Sequence, residues 1–79
     1  MVTGAQVRMA RAALKWAVRD LADRAQVSPT TVVAVEAEKD VRAATLAVLK
    51  NALEAAGVEF TNGDAPGVRL RKPRYRVKR

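Results

Sequence analysis

The sequence predicts an all-α domain of four to five short helices with a short C-terminal β-hairpin. Three observations point there. Apolar residues make up 49% of the chain but aromatics only 4% (Trp16, Phe60 and Tyr75), so a core must be built from Ala, Val and Leu. Side chains that small suit closely packed short helices better than a sandwich of sheets. Helix-start chemistry recurs at Thr3 and at Ser28-Pro29, and after Gly57 the apolar period changes from helical to alternating.

Taken in order, Thr3 caps a first helix beginning at Gly4, with Val7, Ala10 and Leu14 on its apolar stripe and Lys15-Trp16 at its end. A second helix spans Val18 to Ala25 and buries Leu21, Ala22 and Ala25. Its cap position, Ala17, is poor, but Asp20 stands in the first turn among free N–H groups. The third helix has the strongest local signal: Ser28 caps, Pro29 takes the first helical position, and the helix continues to Glu36 or Ala37. Only two or three residues around Gln26 separate the second and third helices, the spacing of a helix-turn-helix. A fourth helix opens at Arg42 or Ala43, carries Leu46, Leu49 and Leu53 on one face, and stops at Gly57. Val58-Glu59-Phe60-Thr61 and Val68-Arg69-Leu70-Arg71 then alternate around the turn residues Asn62-Gly63-Asp64, as a hairpin does. The predicted organisation is residues 1–57 as the helical domain, 58–71 as a hairpin or extended segment, and 72–79 as a basic tail.

Charge is distributed one-sidedly. Residues 1–68 carry eight Lys/Arg and eight Asp/Glu, so the whole +7 of the chain comes from Arg69, Arg71, Lys72, Arg74, Arg76, Lys78 and Arg79. A neutral body with a cationic end is read most simply as a binder of polyanions, nucleic acid first. With no Cys and no His, thiolate and imidazole metal sites are excluded, as is the usual general base. No enzyme, cofactor or metal is expected. No apolar run approaches the roughly 18 residues of a membrane span, and the N-terminal stretch carries two Arg within its apolar positions, so the expected location is cytoplasmic, beside the nucleoid.

The run Leu21-Ala22, Ala25-Gln26-Val27-Ser28-Pro29-Thr30-Thr31-Val32, Val35-Glu36 resembles the Cro/phage-repressor (XRE) family of DNA-binding proteins over roughly residues 4–58. The resemblance implies a lambda-repressor-like helix-turn-helix bundle. It also implies a transcriptional regulator that binds double-stranded DNA as a homodimer, with the third helix in the major groove and half-sites about 34 Å apart. It further implies an internal ion pair between Arg11 and Glu36 with a structural role. Two departures stand out: Ala17 and Val18 replace the family's usual cap and glutamine, and Lys15 and Gln26 stand where the family often has glycine.

The third helix, which the resemblance makes the reading helix, is unusual. Its outward residues include no Arg, Lys, Asn or Gln, so bidentate contact to guanine or adenine is ruled out. Base-edge contact then falls to Thr30, Thr31, Val33 and Ala34, by hydroxyl or by methyl against thymine. Phosphate contact is expected from Arg19, Ser28, Thr30, Lys39 and Arg42, with the seven tail cations gripping phosphate or entering the minor groove. Two readings of the greasy helix stay open. Specificity is partly shape-based and supplied elsewhere, or the two-helix unit docks another protein: the transcription machinery, an activator, or a toxin.

Overall fold

The computed structural model describes residues 2–39 and 42–71. The chain runs α1 (Gly4–Ala13), α2 (Val18–Ala25), α3 (Pro29–Glu36), α4 (Ala43–Ala55), β1 (Val58–Thr61) and β2 (Gly67–Leu70). The strands pair antiparallel, with Val58 opposite Leu70 and Thr61 opposite Gly67.

The first three helix starts each have a local cause. The Thr3 hydroxyl accepts the Gln6 N–H while Gln6 Oε1 accepts the Thr3 N–H, a reciprocal capping box. Ser28 Oγ accepts the Thr31 N–H at 3.1 Å, with Pro29 at the first helical position. Ala17 has no capping side chain, but Asp20 Oδ2 reaches back to accept the Ala17 N–H at 2.8 Å.

The first three helices also end alike. Lys15, Gln26 and Glu38 all adopt left-handed φ values of 59–60°, and each is followed by an N–H that reaches back five residues: Trp16 to Arg11, Val27 to Ala22, Lys39 to Ala34. These are Schellman ends, whose left-handed position glycine fills without steric cost. None of the three is glycine. Lys15→Gly and Gln26→Gly are each expected to raise stability by about 0.5–1 kcal/mol, once the looser unfolded chain is set against relief of the Cβ penalty. Urea midpoints followed by the fluorescence of Trp16, the chain's single tryptophan, measure the gain.

The core is formed by Val7, Ala10, Leu21, Ala22, Val32, Val35, Leu49 and Leu53, all fully buried, together with Val58 from β1. Among the described residues no aromatic lies wholly inside; Trp16 and Phe60 pack half-buried against the cluster. Trp16 lies under the Arg24 guanidinium, 4.8 Å from the ring centre, which suits a hinge-packing residue.

The sheet changes the fold class. Helix covers 57% of the described residues, and the hairpin is an integral layer packed on α1 and α4. Gln6, fully buried, holds it there: its Nε2 donates to the Thr61 carbonyl at 2.9 Å and the Gly67 carbonyl at 3.0 Å. One side chain therefore caps α1 and binds both strands where the hairpin closes. The expected all-α, lambda-repressor-like helix-turn-helix bundle is corrected accordingly: this is a small mixed α/β domain, not clearly such a bundle. The physical reason is that Val58 and the Gln6 hydrogen bonds make the strands part of the core.

Candidate nucleic-acid interface

α3 presents its outer side to solvent because its inner side is fixed from three directions. Val32 and Val35 enter the core. Glu36, at its last turn, receives Arg11 as a fork: Nε to Oε2 at 2.8 Å and Nη2 to Oε1 at 3.0 Å. The remaining guanidinium nitrogen, Nη1, donates to the Trp16 carbonyl at 2.9 Å, which ties the α1–α2 turn to the same point. The pair is largely enclosed, with Arg11 20% and Glu36 9% exposed. The Glu36 hydrogen bond, aided by its charge and opposed by desolvation, raises the Arg11 pKa above its ordinary value. A base whose folded pKa is raised contributes fully below its unfolded pKa and loses that contribution only as pH climbs past the folded value. For an arginine that window lies above any working pH, so the raised Arg11 pKa brings no pH dependence with it.

The arrangement gives a direct prediction. Arg11→Ala is expected to cost about 3 kcal/mol, because it strands an enclosed carboxylate and a turn carbonyl together. A double-mutant cycle with Glu36→Gln should return a coupling above about 1 kcal/mol; an exposed pair gives less.

The predicted base-edge residues are not equivalent. Thr31 is half-buried, and its hydroxyl lies 2.9 Å from that of Ser28. Ser28 is itself engaged as the helix cap, its hydroxyl accepting the Thr31 N–H. Ala34 is half-buried. Thr30 is exposed, and among the described residues its hydroxyl has no hydrogen-bond partner. Val33 is 53% exposed, more than Met9, Val48 or Leu70, the other exposed large apolar side chains among the described residues.

Of the predicted phosphate contacts, Arg19 stands exposed in the first turn of α2, Lys39 exposed just beyond α3, and Arg42 exposed at the start of α4. The tail divides. Arg69 lies in β2 and donates to Glu59 Oε1 at 2.7 Å, while Arg71 sits within 4.0 Å of the other Glu59 oxygen. Their backbone is fixed too, since the Arg71 N–H donates to the Gly57 carbonyl at 2.8 Å. Arg69 thus lies in the sheet, opposite Glu59, and Arg71 directly follows it. The expectations on Lys72, Arg74, Arg76, Lys78 and Arg79 lie outside the described residues. A hollow of about 360 Å³ between α4 and the sheet is lined by Glu54, Glu59, Arg69 and Arg71, charges that mostly answer one another.

Sequence reasoning missed Gln6 and Glu38. The signal for Gln6 was present, as Thr3-x-x-Gln6 is a capping-box pattern and position 6 shares the apolar side with Ala10. Glu38 had no such signal: its carboxylate accepts the Ala5 N–H at 3.3 Å, across 33 residues of chain. Among the described residues there is no cluster of His, Cys, Asp or Glu able to hold a metal ion, and no helix is long and apolar enough to cross a membrane.

No known protein family, curated protein or solved structure matches the chain.

Proposed function

We propose that this protein is a transcriptional regulator that binds double-stranded DNA with weak base readout, its basic C-terminal residues adding phosphate or minor-groove contacts. One observation carries the reading: a short helix whose outer side is exposed and carries no charge, pinned from behind by a forked ion pair through its last residue, Glu36, in a chain whose entire +7 lies at one end. The rigid mounting suits a groove-facing element, and the charge suits a polyanion. The resemblance of Leu21–Glu36 to Cro and phage-repressor sequences supports it. Arg19, Lys39 and Arg42, all exposed and close in sequence to the ends of α2, α3 and α4, supply the phosphate contacts. No enzymatic activity, cofactor or metal enters this reading.

The active form is a homodimer beside the nucleoid. Two copies of a +7 chain meet most readily through a face without cations. α4 offers one, with Ala44, Ala47, Val48 and Ala55 exposed. A second reading, action mainly through contacts with the transcription machinery or another protein, is favoured by the exposure of Val33 and Val48.

Selection from a library of genomic duplexes, followed by footprinting, separates them. The regulator reading expects a two-fold footprint with half-sites about 34 Å apart. Failure to retain any duplex at low salt overturns it.

A further inference from the structure

On an ideal helix, Pro29, Val33, Ala37, Thr30 and Ala34 fall in that order along an arc of about 140°, while Thr31, Val35, Val32 and Glu36 fill the rest. Burial follows this division: Val32 and Val35 are in the core, Glu36 is held by Arg11, and Pro29, Thr30, Val33 and Ala37 are exposed. Val33 lies near the middle of the exposed arc. The surface is convex, methyl-bearing and uncharged, with one uncommitted hydroxyl, that of Thr30.

The major groove has one apolar feature able to meet such a surface, the C5-methyl group of a pyrimidine. Thymine always carries it and unmodified cytosine does not. Charge complementarity identifies the occupant: duplex DNA is a polyanion, and this helix belongs to a chain of +7 with Lys39 just beyond its end. A valine set over a G·C pair would strip water from the cytosine amino group and guanine O6 without replacing a hydrogen bond. Over a methyl group it covers apolar surface that gains by leaving water.

Resting on the DNA-binding reading above, we infer that α3 is a pyrimidine-methyl reader centred on Val33, so that the site takes thymine or 5-methylcytosine and rejects unmodified cytosine. Binding is therefore sensitive to cytosine methylation at positions under Val33. Thr30 supplies the one polar contact on this surface, to a base edge or phosphate beside the methyl group.

The test uses the full chain and four short alternating duplexes: d(A–T), d(A–U), d(I–C) and d(I–5-methyl-C). Inosine lacks the guanine amino group, so all four share one minor-groove pattern and differ in the major groove. Fluorescence anisotropy should show d(A–T) bound more tightly than d(A–U), and d(I–5-methyl-C) more tightly than d(I–C). The expected difference is about fourfold for each methyl covered, or on the order of tenfold for two subunits. Val33→Ala, checked for folding by Trp16 fluorescence, should bind d(A–T) and d(A–U) alike, no tighter than the parent binds d(A–U). Equal binding of all four duplexes by the parent chain overturns the inference and leaves duplex binding standing. Methyl dependence that survives Val33→Ala overturns the assignment to Val33. Absence of binding to every duplex at low salt overturns this inference and the DNA-binding reading together.

Discussion

Replacing Gly4 with alanine is expected to remove about 3 kcal/mol of stability, and larger side chains more. A Cβ at Gly4 would lie well inside contact distance of the Val35 carbonyl oxygen and 3.1 Å from the Glu38 carboxyl carbon. The first obstacle is backbone, in the last turn of α3, so rotamer changes give no relief. α1 would have to withdraw from α3, which loosens the Ala5–Glu38 hydrogen bond and the core packing of Val7 against its neighbours. Alanine's better helix propensity returns at most about 1 kcal/mol. Overpacking against a fixed wall lies at the top of, or above, the usual 1–3 kcal/mol range. A 79-residue domain has roughly 4–12 kcal/mol in all, so the variant should be largely unfolded at mild heat. Urea unfolding followed by Trp16 fluorescence reads the change. A midpoint equal to the parent's would mean that α1 and α3 do not meet as closely as described.

Gly4 also shows what a sequence conceals. A glycine inside a cap-defined helix start, where alanine would propagate better, signals close approach, but nothing local says to what. The same holds for the hairpin. Alternation at Val58–Thr61 and turn residues at Asn62-Gly63-Asp64 made the strands legible, whereas the partner that makes them part of the core is Gln6, 55 residues from Thr61. Read by period alone, a polar residue on an apolar stripe looks like a surface position, so the fold class came out all-α. The helices themselves were legible because their causes are local: the Ser28-Pro29 start fixes α3, and Asp20 fixes the start of α2 where Ala17 cannot. The Arg11–Glu36 fork joins residues 25 apart and came only from resemblance. Among the candidate site residues, hydrogen bonding decided what residue type could not. Thr30 and Thr31 are neighbours of identical chemistry, yet one hydroxyl is engaged by Ser28 and the other is open.

A chain ending at Arg71 is expected to bind duplex DNA far less dependently on salt than the full chain. The cut removes Lys72, Arg74, Arg76, Lys78 and Arg79, five cations and no acid. Each phosphate neutralised contributes about 0.9 to the slope of log K against log salt, so the slope should fall by about 4.5. Over a fourfold rise in salt, those five contacts alone account for roughly 500-fold in affinity. The position of the cut matters. Ending near Val68 would delete half of β2, and with it the Arg69–Glu59 pair and the Arg71–Gly57 backbone hydrogen bond. Ending at Arg71 keeps these, and keeps the Gln6 hydrogen bonds to Thr61 and Gly67. Arg69 and Arg71 remain, but with Glu59 they amount to a net single charge, and exposed pairs of this kind are held by less than about 1 kcal/mol. The truncated protein is thus a folded domain that keeps only +2 of the original +7, and duplex preference measured on it reads chiefly what α3 contributes. If preference among duplexes survives while the slope drops, the end residues supply attachment and α3 supplies readout. An unchanged slope would place the phosphate contacts on the body of the domain, at Arg19, Lys39 and Arg42.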